Sequence, residues 1–284
     1  MTGVQTCALP IYTARGIPCL YYGTEQAFNG GNDPYDREDM FAGQFEQGPS
    51  LGDNFNLTHP LFQGVAKLNN LRRLYPALLM GVHSNLWCNP KRPGLFAYAR
   101  QLGTQEVFVV LNTAQSSQTL PDRRTIYPEG TRLLNLLDPN ETATVTAGPR
   151  TPPITMPGTS AKIFLAQSQM LPLDPVVTSI TPAHDSTNAG TATPIVIQFS
   201  QPMNTGSVEA AFSTAPAATG TFAWSPARDT LTFTPGGAGF PTQTLVSVRI
   251  AATARAAASG KLFYSAFESR FKTGPAGQSA TQGQ

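Results

Sequence analysis

Glu25 is followed within fourteen residues by Asp33, Asp36, Glu38 and Asp39, with Arg37 among them, in the run "GTEQAFNGGNDPYDRED". Two carboxyl groups flanking a glycosidic bond can divide its cleavage between them. One protonates the leaving oxygen, and the other attacks or activates water, at about 5 Å separation in retaining enzymes or roughly 6.5–9.5 Å in inverting ones. By residue type alone, Glu25 and Asp33 qualify as such a pair. The plainer reading is that Glu25 orients the loop while Asp33, Asp36 and Glu38 are solvated or paired with Arg37, because carboxylates in polar loops are common. No metal centre is signalled. His59, His83 and His184 are scattered, and Cys7, Cys19 and Cys88 share no close spacing, so neither a zinc knuckle nor a disulfide framework is implied.

Such groups need elements to position them. Ahead of the loop, "IPCLYY" (Ile17–Tyr22) is a continuous apolar run, which predicts a strand buried on both faces as in a parallel sheet. Glu25 would then sit at the C-terminal end of that strand, where barrel enzymes keep their reacting groups. Residues 24–56 form a long polar loop, and long ordered loops are commonly functional. "HPLFQGVAKLNNLRRLY" follows, with Leu61, Val65, Leu68, Leu71 and Tyr75 at helical spacing, Pro60 at the first position and Pro76 at the stop. Strand, loop and helix in this order make a β/α unit.

Beyond residue 78 the period changes to two. "GLFAYARQ", "EVFVVLNT", "TRLLNLLD", "TATVTAG" and "SAKIFLAQ" predict the strands of a compact antiparallel domain, and "SQMLPLDP" reads as a linker. Residues 176–273 have the size of a second, immunoglobulin-like sandwich. There Ile195, Ile197 and Phe199 share one face. "TFAWSPARDTLTFTP" predicts a hairpin with Phe222, Trp224, Leu231 and Phe233 inward and Thr230, Thr232 and Thr234 outward. The alternation makes Trp224 a core residue, in preference to an exposed sugar-stacking platform.

Composition narrows the function classes. Charged residues are 13% of the chain and the net charge is +2 with no basic cluster, so neither nucleic acid nor an anionic membrane is favoured as a partner. No apolar stretch approaches the roughly 20 residues of a membrane span. The 25 glycines and 25 prolines are spread along the chain, which fits short strands joined by tight turns. "MTGVQTCALPI" has neither a charged start nor an apolar core, so it is no signal peptide. It reads as the translation of a sequencing adapter joined to the true frame near Ile11. On that reading residues 1–11 are an artefact and carry no information about localisation.

The run "RGIPCLYYGTEQ…GGNDPYDRED" resembles the eighth barrel strand and following loop of the α-amylase family of glycoside hydrolases, and most of all its bacterial α-amylase and cyclodextrin glucanotransferase branches. The likeness continues through "HPLFQGVAKLNNLRRLYPAL" to about Gln167. It implies an α-glucan substrate and cleavage of α-1,4 bonds with retention. It also implies a secreted or cell-surface bacterial protein. The family's nucleophile, acid/base and third essential acid come from strands four, five and seven, and their motifs do not occur here. The resemblance therefore implies no catalytic residue in this chain, and no cofactor, calcium belonging to upstream parts. In the cyclodextrin-forming branch the "DPxxR" portion of the loop contacts sugar at a donor subsite, and Asp33 and Arg37 match those positions. A mutual salt bridge between the two is the competing reading.

From Asp174 to Gly274, "FSQPMNTGSV" and "LTFTP" resemble a bacterial Ig-like domain of the kind that serves as a spacer or display module. The expected fold is therefore mostly β: the last β/α unit of a TIM barrel, then an antiparallel β-sandwich, then an Ig-like β-sandwich. The expected domains are an artefact at 1–11, a barrel fragment at 12–77, a post-barrel sandwich at 78–168, a linker at 169–175, an Ig-like domain at 176–274 and a disordered tail at 275–284. The leading expectation is the C-terminal part of a secreted starch-active hydrolase, inactive by itself. The competing expectations are a transglycosylase of the cyclodextrin-forming type, a non-catalytic surface protein of β-sandwich modules, and a short enzyme using Glu25 and Asp33.

Overall fold

A computed structural model describes residues 3–28, 30–33, 36–41 and 54–275. The tail expected to be disordered lies outside the described residues except for Pro275. Strand makes up 37% of the chain and helix 15%, so the fold is mostly β, as the sequence predicts. The chain divides into two compact units, residues 1–20 with 64–171 and residues 21–63 with 172–284.

The first unit opens with helix α1 (Gly3–Thr13), of which Ala8, Leu9 and Tyr12 are buried. Helix α2 (Pro60–Leu74), residues 64–74 of which belong to this unit, follows the expected stripe. Leu68, Leu71 and Tyr75 are buried along it and Val65 half-buried. Pro76 ends that helix and opens the next, α3 (Pro76–Met80), because a missing N–H costs nothing at a first helical position. Strands β1 (Val82–Cys88), β2 (Leu95–Leu102), β3 (Gln105–Asn112), β4 (Gln118–Leu120), β5 (Arg132–Asn135), β6 (Asp138–Thr144), β7 (Ile154–Met156) and β8 (Ser160–Ala166) complete the unit. Six form one antiparallel sheet in the order β1-β2-β3-β8-β5-β6, and β4 pairs with β7.

One face of this sheet buries Leu95, Ala97, Phe108, Val110, Leu133 and Phe164 with Leu120, Ile154 and Met156 of the two-stranded pair. The other buries Val107, Val109 and Ile163, with α3 packed on β2 and β3 and α1 on β8. Strand β3 is therefore buried on both sides, which is why "EVFVVLN" shows no polar alternation. Two buried guanidinium groups tie the end of α1 and the segment after it to the unit. Arg100 donates to Gly81 O at 3.0 Å and to Thr13 O at 2.9 Å, and Arg72 donates to Tyr12 O at 2.7 Å, to Ala14 O at 3.0 Å and to Gly16 O.

The predicted strand Ile17–Tyr22 does not form. Residues 17–20 take no regular structure, Ile17 is 95% exposed, and Tyr21 and Tyr22 lie at the surface. A strand exists only through its neighbours' hydrogen bonds. Among the described residues none pairs with this run, so apolarity alone leaves it irregular.

The second unit contains β9 (Val177–Thr181), β10 (Ile195–Phe199), α4 (Thr205–Ala211), β11 (Phe212–Ala215), β12 (Gly220–Trp224), β13 (Thr230–Pro235), β14 (Leu245–Ile250) and β15 (Phe267–Lys272). Sheets in the orders β12-β13-β10-β9 and β11-β14-β15 contribute inward rows to one core. Ile195, Ile197, Phe199, Leu231 and Phe233 meet Val246, Val248, Ile250, Phe267 and Phe271 there, with Val208 and Ala211 of α4. The hairpin has the predicted register, Phe222 opposite Phe233 and Trp224 opposite Leu231. Trp224 packs against this core, stacked on Phe199 with centroids 5.9 Å apart, and its Nε1 donates to Glu209 Oε1 at 2.9 Å. The segment expected as a linker is anchored, with Leu173 O accepting from Gln201 Nε2 at 3.0 Å and Asp174 paired with Lys261 at 3.4 Å.

Candidate functional site

The carboxylate-bearing loop follows Tyr22. Gly23, at φ 80°, and Ala27, at φ 65°, bracket a short 3-10 helix, Thr24–Gln26, which carries Glu25 half-buried. Both flanking positions are left-handed, so the chain reverses sharply here, and glycine accepts that geometry without a Cβ penalty. The Gln26 side chain then clips the two ends of the loop together. Its Nε2 donates to Asn56 O at 3.1 Å and its Oε1 accepts from Asn56 N at 3.2 Å. The Asn56 carboxamide in turn accepts from Thr58 N at 2.9 Å, fixing the approach to α2.

Within the loop, Glu38 is 3% exposed and its Oε1 accepts from Gly30 N at 2.5 Å. This corrects the expectation that Glu38 is solvated or paired with Arg37. Its carboxylate instead fastens the loop backbone, since a buried carboxylate requires donors. Asp39 Oδ1 accepts from Phe41 N at 2.9 Å, and Asn54 N donates to Met40 O at 2.9 Å. Asp33 and Arg37 are brought together, with Arg37 Nη2 3.8 Å from Asp33 Oδ1 and both side chains open to solvent. Asp36 is exposed as well.

Aromatic groups border these charges, a feature the sequence does not signal: Tyr21 and Tyr22 fall in the run expected as a buried strand, and Phe41 and Phe55 lie without pattern in the polar loop. Tyr21 and Tyr22 have ring centroids 4.6 Å apart, and Phe41 and Phe55 lie 5.2 Å apart. Partial desolvation, then the Tyr21 hydroxyl and the Asp39 carboxylate, push the Tyr22 phenol above its usual range, with Arg37 acting in the opposite sense. Tyr22 thus shares its surroundings with Arg37 and Asp39. A carboxylate that accepts, a guanidinium that donates and exposed aromatic faces are together suited to a polyhydroxylated ring. Among the described residues no group of His, Cys, Asp and Glu is placed to hold a metal ion, and no helix is long and apolar enough to cross a membrane.

Comparison with known proteins adds the family context. Residues 173–273 match the family described as bacterial Ig-like domain. A "Beta/alpha-amylase" of Paenibacillus polymyxa is 35% identical over 157 residues, covering 54% of this chain and 11% of that protein. A "Cyclomaltodextrin glucanotransferase" of Geobacillus stearothermophilus is 35% identical over 134 residues, covering 46% and 17%. The solved structure of the cyclomaltodextrin glucanotransferase CldA aligns with a TM-score of 0.47 at 28% identity, over 57% of this chain and 31% of that one. The chain therefore spans under a fifth of the length of these two relatives. Its relatives are enzymes of the α-amylase family, matched in their C-terminal regions, and an Ig-like domain shares the chain with that homologous part.

Proposed function

We propose that this chain is the C-terminal portion of a secreted, α-glucan-active glycoside hydrolase, α-amylase-like in its chemistry, whose catalytic acids belong to a preceding barrel. The observation that carries the reading is the 35% identity to an amylase over 157 residues, in a segment that contains no motif for the family's three acids. In the parent, one carboxylate attacks the anomeric carbon while a carboxylic acid protonates the departing oxygen. Water then releases the glycosyl-enzyme with retention. None of those groups is assigned to this chain.

Its contribution is to binding. Asp33 accepts hydrogen bonds from sugar hydroxyls and Arg37 donates others, each with capacity left over from a mutual contact of 3.8 Å. Transfer to a second sugar in place of water is the second reading, favoured by the cyclomaltodextrin glucanotransferases among the relatives. The binding role of Asp33 and Arg37 is common to both.

The test is to incubate the purified 284-residue chain with soluble starch and to measure new reducing ends and cyclic products. The expected result is neither above the blank. Hydrolysis by the pure chain would return catalysis to Glu25 and Asp33 and overturn the proposal.

A further inference from the structure

Glu106, at the start of β3, carries a carboxyl group kept from water, the residue being 4% exposed. Its Oε1 accepts from Thr125 Oγ1 at 2.5 Å. The Glu106 backbone is engaged by the same segment. Its N donates to Tyr127 Oη at 2.9 Å, and its O accepts from that hydroxyl at 2.8 Å.

Thr125 and Tyr127 belong to a strap, residues 121–131, that joins β4 to β5. The backbone fastens both ends of it. Thr151 N donates to Arg123 O at 2.8 Å, and Gly130 N donates to Val145 O at 2.9 Å. The middle is held on β3 through Glu106, with the Tyr127 ring buried beneath it.

The titratable group that faces the Glu106 carboxyl is the Tyr127 phenol, itself raised first by its own burial. Gln101, opposite Glu106 on β2, and Gln169, which accepts from Tyr127 Oη at 2.8 Å, are uncharged. The strap's other charges are engaged elsewhere or open to solvent. Arg123 lies over the Trp87 ring, 4.4 Å from its centroid, Asp122 pairs with Arg150, and Arg124 is exposed. Among the described residues no cation is paired with Glu106. Burial without a counter-charge disfavours the ionised form. Burial therefore pushes the carboxyl above its usual range, against smaller opposing effects of the Thr125 hydroxyl and the Ile126 N–H.

We propose that the strap is a pH-dependent latch, closed on the protonated Glu106 carboxyl and loosened when that carboxyl gives its proton to solvent. With the strap lifted, Glu106 meets water and titrates near the ordinary value of about 4.3. Below that pH both states hold the proton and the latch contributes in full. As pH rises through the higher range of the closed state, the open state binds fewer protons, so the closed state loses stability. The latch stands on the first unit's own chemistry and does not require the hydrolase reading.

The experiment follows amide hydrogen exchange of the full chain at about pH 4 and about pH 8, corrected for intrinsic exchange rates. The expected result is a several-fold increase in opening at the Glu106 and Tyr127 amides, with the Val109 amide in the middle of β3 unchanged within about twofold. Glu106→Gln, which keeps the shape of the neutral acid, should hold the strap amides within about twofold across the same range. No increase in the wild type would overturn the proposal, as would an equal increase in Glu106→Gln or at Val109. Should Glu106→Gln lose its melting transition, the side-chain carboxyl carbon of Glu106 in the wild-type chain, followed by NMR, gives the second readout. Titration above the ordinary glutamate range, in step with the Tyr127 amide shift, is expected. Titration at the ordinary value would overturn the latch.

Discussion

Arg37 Nη2 lies 3.8 Å from Asp33 Oδ1, with 71% and 77% of the two side chains accessible to solvent. An ion pair so exposed holds its loop only weakly, since surface pairs contribute about 0–1 kcal/mol. The firm anchors of this loop are elsewhere, in the buried Glu38 carboxylate and the Gln26–Asn56 clip. Asp33→Ala and Arg37→Ala should therefore change the stability of this chain by no more than about 0.5 kcal/mol. Introduced into the proposed parent enzyme, either should weaken maltooligosaccharide binding by roughly tenfold, about 1.4 kcal/mol. Thermal melts and calorimetric titration check the two halves. Unchanged affinity and product profile in the parent would remove the sugar-contact role.

Tyr98 supplies a pH test. Its hydroxyl is buried in contact with Thr13 Oγ1, and desolvation pushes the phenol up to about 12, against smaller opposing effects of Thr13 and Arg100. The unfolded phenol titrates near 10. Between those values the folded chain holds the proton and the unfolded chain does not, so stability falls as pH rises from about 10 to 12 and is unaffected below. Two units correspond to roughly 3 kcal/mol. Tyr98→Phe removes this window, and Thr13 Oγ1 keeps a bond to Leu9 O at 2.7 Å. Urea unfolding at the two ends of the window should show the wild type losing stability relative to Tyr98→Phe. Parallel slopes would show that Tyr98 does not titrate this way.

Trp224 distinguishes packing from recognition. Trp224→Ala removes the stack on Phe199 and the indole bond to Glu209. The expected cost is roughly 2 kcal/mol or more in the sandwich unit's unfolding transition, below the about 3–5 kcal/mol of a fully buried aromatic. Trp224→Phe keeps the ring contact and should cost less than about 1.5 kcal/mol. A variant that loses oligosaccharide binding at unchanged stability would mean that Trp224 is a sugar platform after all.

Several elements were readable because a single local signal determined them. The hairpin register follows from Thr230, Leu231, Thr232, Phe233 and Thr234 alternating on a strand of period two, and prolines at both ends bound α2. Other elements had no such signal. Strand β1 lies at the edge of its sheet with only His83 and Leu86 half-buried and a register shift between Asn85 and Trp87, so "VHSNLWC" shows no alternation. Strands β4 and β7 have only three residues each. The run Ile17–Tyr22 misled in the opposite way. Its apolarity signals a preference for burial but cannot say whether a neighbouring strand is present.

The site was legible only in outline. For Asp33 and Arg37 the structure shows the mutual ion pair that is the competing reading of the sequence. Glu38 was not recognisable as an anchor, because its partner is the Gly30 backbone N–H, which every non-proline residue carries. Arg72 and Arg100 were invisible for the same reason, since their partners are backbone carbonyls. The Glu106 latch joins β3 to a strap beyond β4, so only the tertiary fold reveals it.

The central claim is that this chain is the C-terminal portion of an α-glucan-active hydrolase, and sequencing the genomic locus upstream of Tyr12 tests it most directly. The expected result is an open frame, in place of residues 1–11, that continues into a barrel carrying the family's three catalytic acids. A genomic frame that starts at Met1 and encodes those eleven residues would contradict it, and the chain would then be a non-catalytic protein of β-sandwich modules.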